Sequence, residues 1–260
     1  MDTDPQILKA ALKASQIWWQ DMGVDIPDLP PQPKRPAKQQ AQNRKPSKVK
    51  INPQSQNPQS GLKDKIELAT ALAQSAPTLD ALKTALDTFD AGSLSDHAKN
   101  MVFARGNPSA KIMAIGEAPG LQEDETSLPF IGPAGQLLDK MFASIGLGED
   151  SLYITNVCNW LPPAGRNPSD DELDMCTPFI TRHMELIAPK IIVIVGGVSL
   201  QALTGKTGIM KARGQWQELN IGGTKTPAMP LYHPAFLLRR PELKKYAWRD
   251  LLAIKARLEG

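Results

Sequence analysis

Three polar residues of this 260-residue chain stand just past short apolar runs: Glu117 one residue beyond KIMAI (111–115), Asn156 after SLYIT (151–155) and His233 after MPLY (229–232). A carboxylate can take a proton from water or stabilise a cation. An amide carries an acceptor and donors that read a polar ring edge, and an imidazole can donate to a leaving group. Each residue also has an ordinary alternative: Glu117 as a turn cap, Asn156 bonded to a neighbouring loop, His233 as a satisfied loop histidine. What marks them is that all three occupy the same kind of position. Gly116 and Gly120, on either side of Glu117-Ala118-Pro119, permit a tight turn with exposed backbone N–H groups. Of the other two histidines, His97 has no such setting and His183 falls in a stretch that reads as a core-facing helix.

The runs that must position these residues are short and β-branched. KIMAI, SLYIT and KIIVIV (190–195) read as buried parallel strands, with MPLY as a fourth. Helical periodicity is expected over 62–75, 79–89, 133–146, 169–187, 197–204 and 242–258, the second opened by Thr78 and Asp80 in capping positions. Strands alternating with helices imply an α/β fold: three-layer α/β/α with a central, mainly parallel four-stranded sheet and right-handed crossovers. In such sheets ligands bind beyond the carboxyl ends of the strands, where Glu117, Asn156 and His233 stand.

Composition bounds the rest. The net charge of +3 hides an asymmetry, because residues 30–60 hold seven Lys or Arg and no acid, against 23 basic and 27 acidic residues elsewhere. Seven Pro and seven Gln in that stretch leave almost nothing apolar to offset the entropy of ordering. The expected organisation is therefore a short amphipathic helix over 1–25, a disordered basic Pro/Gln-rich linker over 26–60 and a folded domain over 61–260. The linker's charge suits a polyanion or a solvated spacer. The first segment, with Ile7, Leu8, Ala11, Leu12, Ile17 and Trp18 at helical spacing and Trp19 beside them, must either dock on the body or bind a partner protein. No run reaches the roughly 18 to 20 apolar residues of a membrane span and the start does not resemble a secretory signal, so a cytoplasmic protein with no membrane association is expected. Two cysteines, Cys158 and Cys176, cannot fill a four-thiolate site. There is no GxxxxGK[ST], no GxGxxG after a strand and no HExxH, so nucleotide hydrolysis and zinc chemistry find no support.

The strings GEAPGLQED (116–124), PFIGPAGQLLDKM (129–141), YITNV (153–157), PPAGRNPS (162–169), PKIIVIVG (189–196), ARGQW (212–216) and YHPAFLLRRP (232–241) together resemble the uracil-DNA glycosylase superfamily, nearest its family 4 branch. The resemblance spans about residues 100–252. It implies a monofunctional DNA repair hydrolase of base excision repair, which flips deoxyuridine out of the helix, cleaves its N-glycosidic bond and leaves an abasic site. It implies that Phe130 stacks on the base, Asn156 reads its edge, His233 donates to the departing uracil, and Glu117 orients water and stabilises the sugar cation. Gly116 and Ala118 would complete the pocket. In YHPAFLLRRP, Leu237 and Leu238 would enter the vacated stack while Arg239 and Arg240 meet phosphates, the alternative being a loop leading into a helix with ordinary surface arginines. Ser199 in GGVSLQ would bind a phosphate, or simply begin a helix.

Three departures from the family pattern matter. Ala118 stands where the best-known members carry aspartate, which passes the carboxylate duty to Glu117, with Glu123 second. Gly120 replaces a tyrosine that screens the base C5 position, so exclusion of thymine would rest on Phe130 and the pocket wall. Family 4 members usually hold a [4Fe–4S] cluster on four cysteines; here Cys176 matches one position, Trp160 stands at another, the upstream two fall near Phe89 and Gly92, and Cys158 is offset by two residues. No cofactor and no metal is therefore expected, with loop order supplied by packing of Trp160, Phe89 and Leu94. The expected partners are uracil-containing DNA and, through the N-terminal segment, a repair or replication protein, with the enzyme a monomer. The competing reading is a catalytically weak uracil-DNA binding protein or a recruitment module.

Overall fold

The computed structural model describes residues 58–260, with side chains from Gly61 onward. The described residues all belong to one compact unit that extends to Gly260. The expected helix around Trp18, the linker up to residue 57 and the boundary at residue 25 lie outside the described residues.

Six strands form one sheet: β1 (Ala104–Gly106), β2 (Ile112–Gly116), β3 (Leu152–Asn156), β4 (Ile191–Val195), β5 (Gln217–Ile221) and β6 (Thr224–Leu231), in the order β1-β3-β2-β4-β6-β5. The four central strands are mutually parallel and are the four expected from the sequence. β1 and β5 add an antiparallel edge on either side, so the sheet has six strands rather than four. Every residue of β2, β3 and β4 is buried, as a parallel sheet covered on both faces requires. Because successive side chains point to opposite faces, Met113, Ile115, Tyr153, Ile192 and Ile194 enter one core, and Ile112, Ala114, Ile154, Ile191 and Val193 enter the other.

Helices cover both faces. On one side lie α1 (Pro58–Ser75), α2 (Leu79–Thr88) and the short α3 (Ser93–His97), with α6 (Asp170–Ile187) and α7 (Gly197–Thr204), which bury residues such as Leu82, Leu86, Phe179 and Leu200. On the other lie α5 (Pro133–Ala143), α9 (Pro234–Arg239) and α10 (Lys244–Glu259), contributing Leu138, Phe142, Leu251 and Ile254. Two further short helices, α4 (Leu121–Thr126) and α8 (Ile209–Ala212), sit in the connections. Start signals explain the boundaries. Thr78 Oγ1 accepts from Ala81 N–H at 3.2 Å to open α2. Ser169 and Glu172 exchange reciprocal bonds at the start of α6, and Pro133 and Pro234 occupy first-turn positions where their missing N–H costs nothing. Among the described residues the first helix is α1, Pro58–Ser75.

β2 has β3 on one side and β4 on the other, and the chain leaves β2 toward β3 first. The crevice opening at such a reversal is where α/β sheets take ligands. The loop after β2, carrying Glu117, lies there.

Candidate active site

Strand register brings the three site residues together. Gly116, last in β2, pairs with Asn156, last in β3, so Glu117 emerges beside Asn156; Val195 of β4 pairs with Leu231 of β6, two residues before His233. The three side chains line one cavity of about 430 Å³, together with Ala118, Gly120, Glu123, Phe130 and, from the PPAGRNPS segment, Arg166 and Asn167.

Local chain geometry shapes its floor. Phe130 adopts φ 53, a left-handed conformation unusual for a bulky residue, which its surroundings must impose. Arg105 from β1 does so: its Nε donates to the Pro129 carbonyl at 2.8 Å and its Nη2 to the Phe130 carbonyl at 3.1 Å and to Asp139 at 2.6 Å. α5 can approach only because Gly135 has no side chain, since a Cβ there would collide with the Phe130 carbonyl. A Cβ on Gly116 would likewise run into the Phe130 ring and Asn156 Oδ1, so that glycine creates the space in which ring and amide meet.

The polar groups are poised differently. Asn156 is 2% exposed, and its Oδ1 is a buried acceptor with no partner among the described residues. An orphaned buried acceptor costs about 1–3 kcal/mol, so a ligand N–H arriving there is strongly favoured. His233 caps α9, its Nδ1 accepting from the Ala235 N–H at 3.2 Å. Burial, reinforced by the positive charge of Arg239, lowers its pKa to about 4, so the ring is neutral near pH 7. A neutral imidazole that accepts at Nδ1 carries its proton on Nε2 and is a donor there. Glu117 has its pKa raised to about 7 by burial, which makes it a base matched to neutral pH.

Glu123 is engaged elsewhere. Its Oε1 accepts from Ile131 N–H at 3.1 Å and Gly132 N–H at 2.9 Å, and its Oε2 from Gly120 N–H at 3.1 Å. That carboxylate ties the turn before α4 to the loop before α5. Of the two carboxylates lining the cavity, Glu123 is the one whose oxygens are taken up by backbone N–H groups.

The DNA-contact expectations divide. Within YHPAFLLRRP the stretch Pro234–Arg239 is helical, and Leu237 is completely buried in the core between α5 and α10. It packs instead of projecting, which leaves Leu238, at 44% exposure, as the single apolar candidate of the pair. Ser199 is also fully buried, and its hydroxyl donates to the Val195 carbonyl at 3.1 Å, so it serves helix geometry and is not presented to a phosphate. Arg239 is exposed, and Arg240 pairs with Glu242 at 2.6 Å on the surface.

Two residues escaped the sequence reading. Arg105 is one. Arg166 is the other: at the cavity rim it grips buried Glu172 through two bonds, Nη1 to Oε2 at 2.6 Å and Nη2 to Oε1 at 2.7 Å. The guanidinium holds the Glu172 carboxyl well below the usual range, and the pair fixes the wall segment to the start of α6. Arg105 belongs to no recognisable pattern, and Arg166, although within PPAGRNPS, does not stand out there because its pairing with Glu172 shows only in the fold.

The pattern of the uracil DNA glycosylase superfamily matches residues 103–252, more than half of the chain. The chain belongs to that superfamily. It is 40% identical over 168 residues to the type-4 uracil-DNA glycosylase of Saccharolobus solfataricus, covering 62% of this chain and 78% of that protein. It is 39% identical to the Archaeoglobus fulgidus type-4 enzyme over 151 residues, 56% of this chain and 76% of that one. A stretch of 178 residues, 68% of this chain, is also 31% identical to 18% of a Bacillus phage SP01 protein named DNA polymerase.

The [4Fe–4S] cluster expected of family 4 does not fit the residues present. The chain has two cysteines where four thiolates are needed. Cys158 is fully buried and its thiol donates to the Trp160 carbonyl at 3.3 Å; Cys176 is buried against Cys158, which together with desolvation pushes its thiol pKa well up, away from the thiolate a metal needs. Where cluster ligands are absent, aromatic rings pack: Phe89 lies 6.4 Å from Trp160 and 5.1 Å from Phe179 between ring centroids, with Leu94 buried in the same core.

Proposed function

We propose that this chain hydrolyses the N-glycosidic bond of deoxyuridine in DNA, releasing uracil and leaving an abasic site. The observation that carries the reading is the unpartnered, buried Asn156 Oδ1, sharing one cavity with Phe130, Glu117 and His233. Uracil offers N3–H to that acceptor. Cytosine has a lone pair at N3 and would meet it with repulsion, so the orphan selects for uracil. The flipped base stacks on the Phe130 ring, which the Arg105 clamp fixes.

As the C1′–N1 bond breaks, its electron pair moves onto the base and negative charge gathers at uracil O2. His233 Nε2–H donates there without giving up its proton; a preorganised donor of this kind contributes about 2.7–4 kcal/mol. Positive charge develops on the sugar. The Glu117 carboxylate stabilises it and takes a proton from the water whose oxygen forms the new bond to C1′. Glu123 positions this apparatus through three backbone N–H groups.

Gly116 and Ala118 give the base room, and Leu238, Arg239 and Arg240 are the proposed duplex contacts. Residues 61–260 would form the catalytic domain, 26–60 a basic linker and 1–25 the attachment to a replication or repair protein. Supporting that last part, a glycosylase-like stretch occupies 18% of the phage protein named DNA polymerase. Among the described residues no helix is long and apolar enough to cross a membrane. The enzyme would work as a cytoplasmic monomer.

The test is incubation with oligonucleotides carrying one uracil, cytosine or thymine, followed by alkaline cleavage. Uracil strands should break and cytosine strands should not. Asn156→Ala should slow uracil release and shrink the uracil-to-cytosine ratio; no cleavage of any uracil strand would overturn the reading.

A further inference from the structure

His233 walls two cavities. Its far side lines a second one of about 260 Å³, formed with Gly196, Gly197, Met210, Tyr232 and Phe236. We propose that this cavity is a subsite for the unpaired nucleobase next to the excised uracil on the same strand, an inference that rests on the glycosylase reading.

The lining is what a stacked base requires. Phe236 is the partly exposed ring, backed by the buried Tyr232 ring 5.4 Å away between centroids and tilted to it, and base-on-aromatic stacking is tolerant of sequence because every base has a π-face. Met210 closes the rim from α8 and is 66% exposed, a large apolar side chain left in water unless something covers it. Backbone on the opposite wall stays low. Gly196 has φ 103 and lies so close to His233 that a Cβ there would stand 3.2 Å from the His233 Cβ and 3.3 Å from its ring Cδ2, and Gly197 is exposed with no side chain to block entry.

The occupant follows from continuity and charge. Consecutive bases of one strand are joined by a single sugar-phosphate unit, so two cavities divided by one imidazole are within reach of neighbouring nucleotides. The exposed cations Lys211, beside Met210, and Arg239, on α9, supply positive charge for the connecting phosphates. A base can enter only if it is unpaired, so the subsite favours single-stranded substrate.

The test replaces the base on the 5′ side, the 3′ side or both sides of uracil by an abasic unit in a single-stranded oligonucleotide and compares kcat/KM. Loss of one flanking base, and not the other, should cost about tenfold, the usual scale of one stacked base. In Met210→Ala the ratio between intact and abasic flank should fall toward one; Met210→Lys, at the same exposed position, serves if the alanine variant is unstable. Equal sensitivity to both flanks, or a ratio unmoved in both variants, overturns the subsite while uracil release continues. Release from no substrate overturns the glycosylase reading instead. The subsite is then judged without turnover, by 2-aminopurine beside uracil: its fluorescence should be quenched on binding at one flank, and less so in the Met210 variants, and absence of quenching refutes it. A protein side chain as the true occupant would show as indifference to every DNA change.

Discussion

Glu117 should write its own titration into the rate of uracil release. Burial raises its pKa to about 7, with no neighbouring cation among the causes to offset the desolvation. If the ionised carboxylate is the working form, single-turnover release in excess enzyme follows its ionised fraction: about one in a hundred at pH 5, half at pH 7 and nearly complete at pH 8.5. The rate should therefore climb about a hundredfold across that range, with unit slope below pH 7. His233 cannot imitate this rise, because its pKa near 4 leaves it neutral throughout. Glu117→Gln should lie about 10²-fold below the wild-type plateau and show a flat profile. A second readout comes from stability. The folded pKa is raised above the unfolded value of 4.5, so the contribution is intact below pH 4.5 and is lost as pH rises through 7; by pH 8 ionised Glu117 costs about 3 kcal/mol that glutamine does not. Unfolding by denaturant should show Glu117→Gln gaining on the wild type between pH 5 and 8. A wild-type rate already flat from pH 5 to 8, or a glutamine variant that keeps the rise, would refute the assignment.

Arg105→Ala removes the bonds that hold the Pro129 and Phe130 carbonyls and leaves Asp139 without them; the expected cost is about 2 kcal/mol in denaturant unfolding, with KM for uracil DNA raised more than kcat is lowered. Deleting residues 1–57 should leave a folded enzyme with the same cleavage rate at saturation but a shallower loss of DNA binding with salt, because the removed stretch carries the cluster of Lys and Arg; identical slopes would make the segment a spacer or a protein-docking site.

The central sheet and the site triad were legible because they rest on local rules. Four apolar runs of β-branched residues predict four parallel strands, and a polar residue after each of three of them marks the carboxyl-end crevice. The edges were not: β1 is three residues, ARG, with no apolar pattern, and β5, QELNI, faces solvent with alternate residues. Leu237 and Leu238 show the limit of motif transfer. His233-Pro234 is a helix start, with a side-chain cap and proline in the first turn, and once HPAFLLRR is helical one of two adjacent leucines must turn to the core. Glu123 shows another. As a residue type it is as good a base as Glu117, and only the three backbone donors around it reveal that its lone pairs are committed.

The same logic of commitment applies to the loops for which this chain lacks cluster thiolates. An iron–sulfur centre fixes loops by binding four thiolates from distant parts of a chain, and a chain without those thiolates must order the same loops by other means. Here the Phe89, Trp160 and Phe179 rings join the segment after α2, the loop after β3 and helix α6. The second tie is polar and reaches the pocket itself: Glu172, buried at the start of α6, receives Arg166 from the cavity wall and Ser93 Oγ at 3.3 Å from α3. Aromatic packing is non-directional, whereas the Arg166–Glu172 pair is bidentate and fixes orientation as well as distance. The apolar cluster therefore supplies cohesion and the ion pair supplies aim, so that the loop carrying Asn167 to the rim is set by Glu172, a buried residue outside the cavity lining.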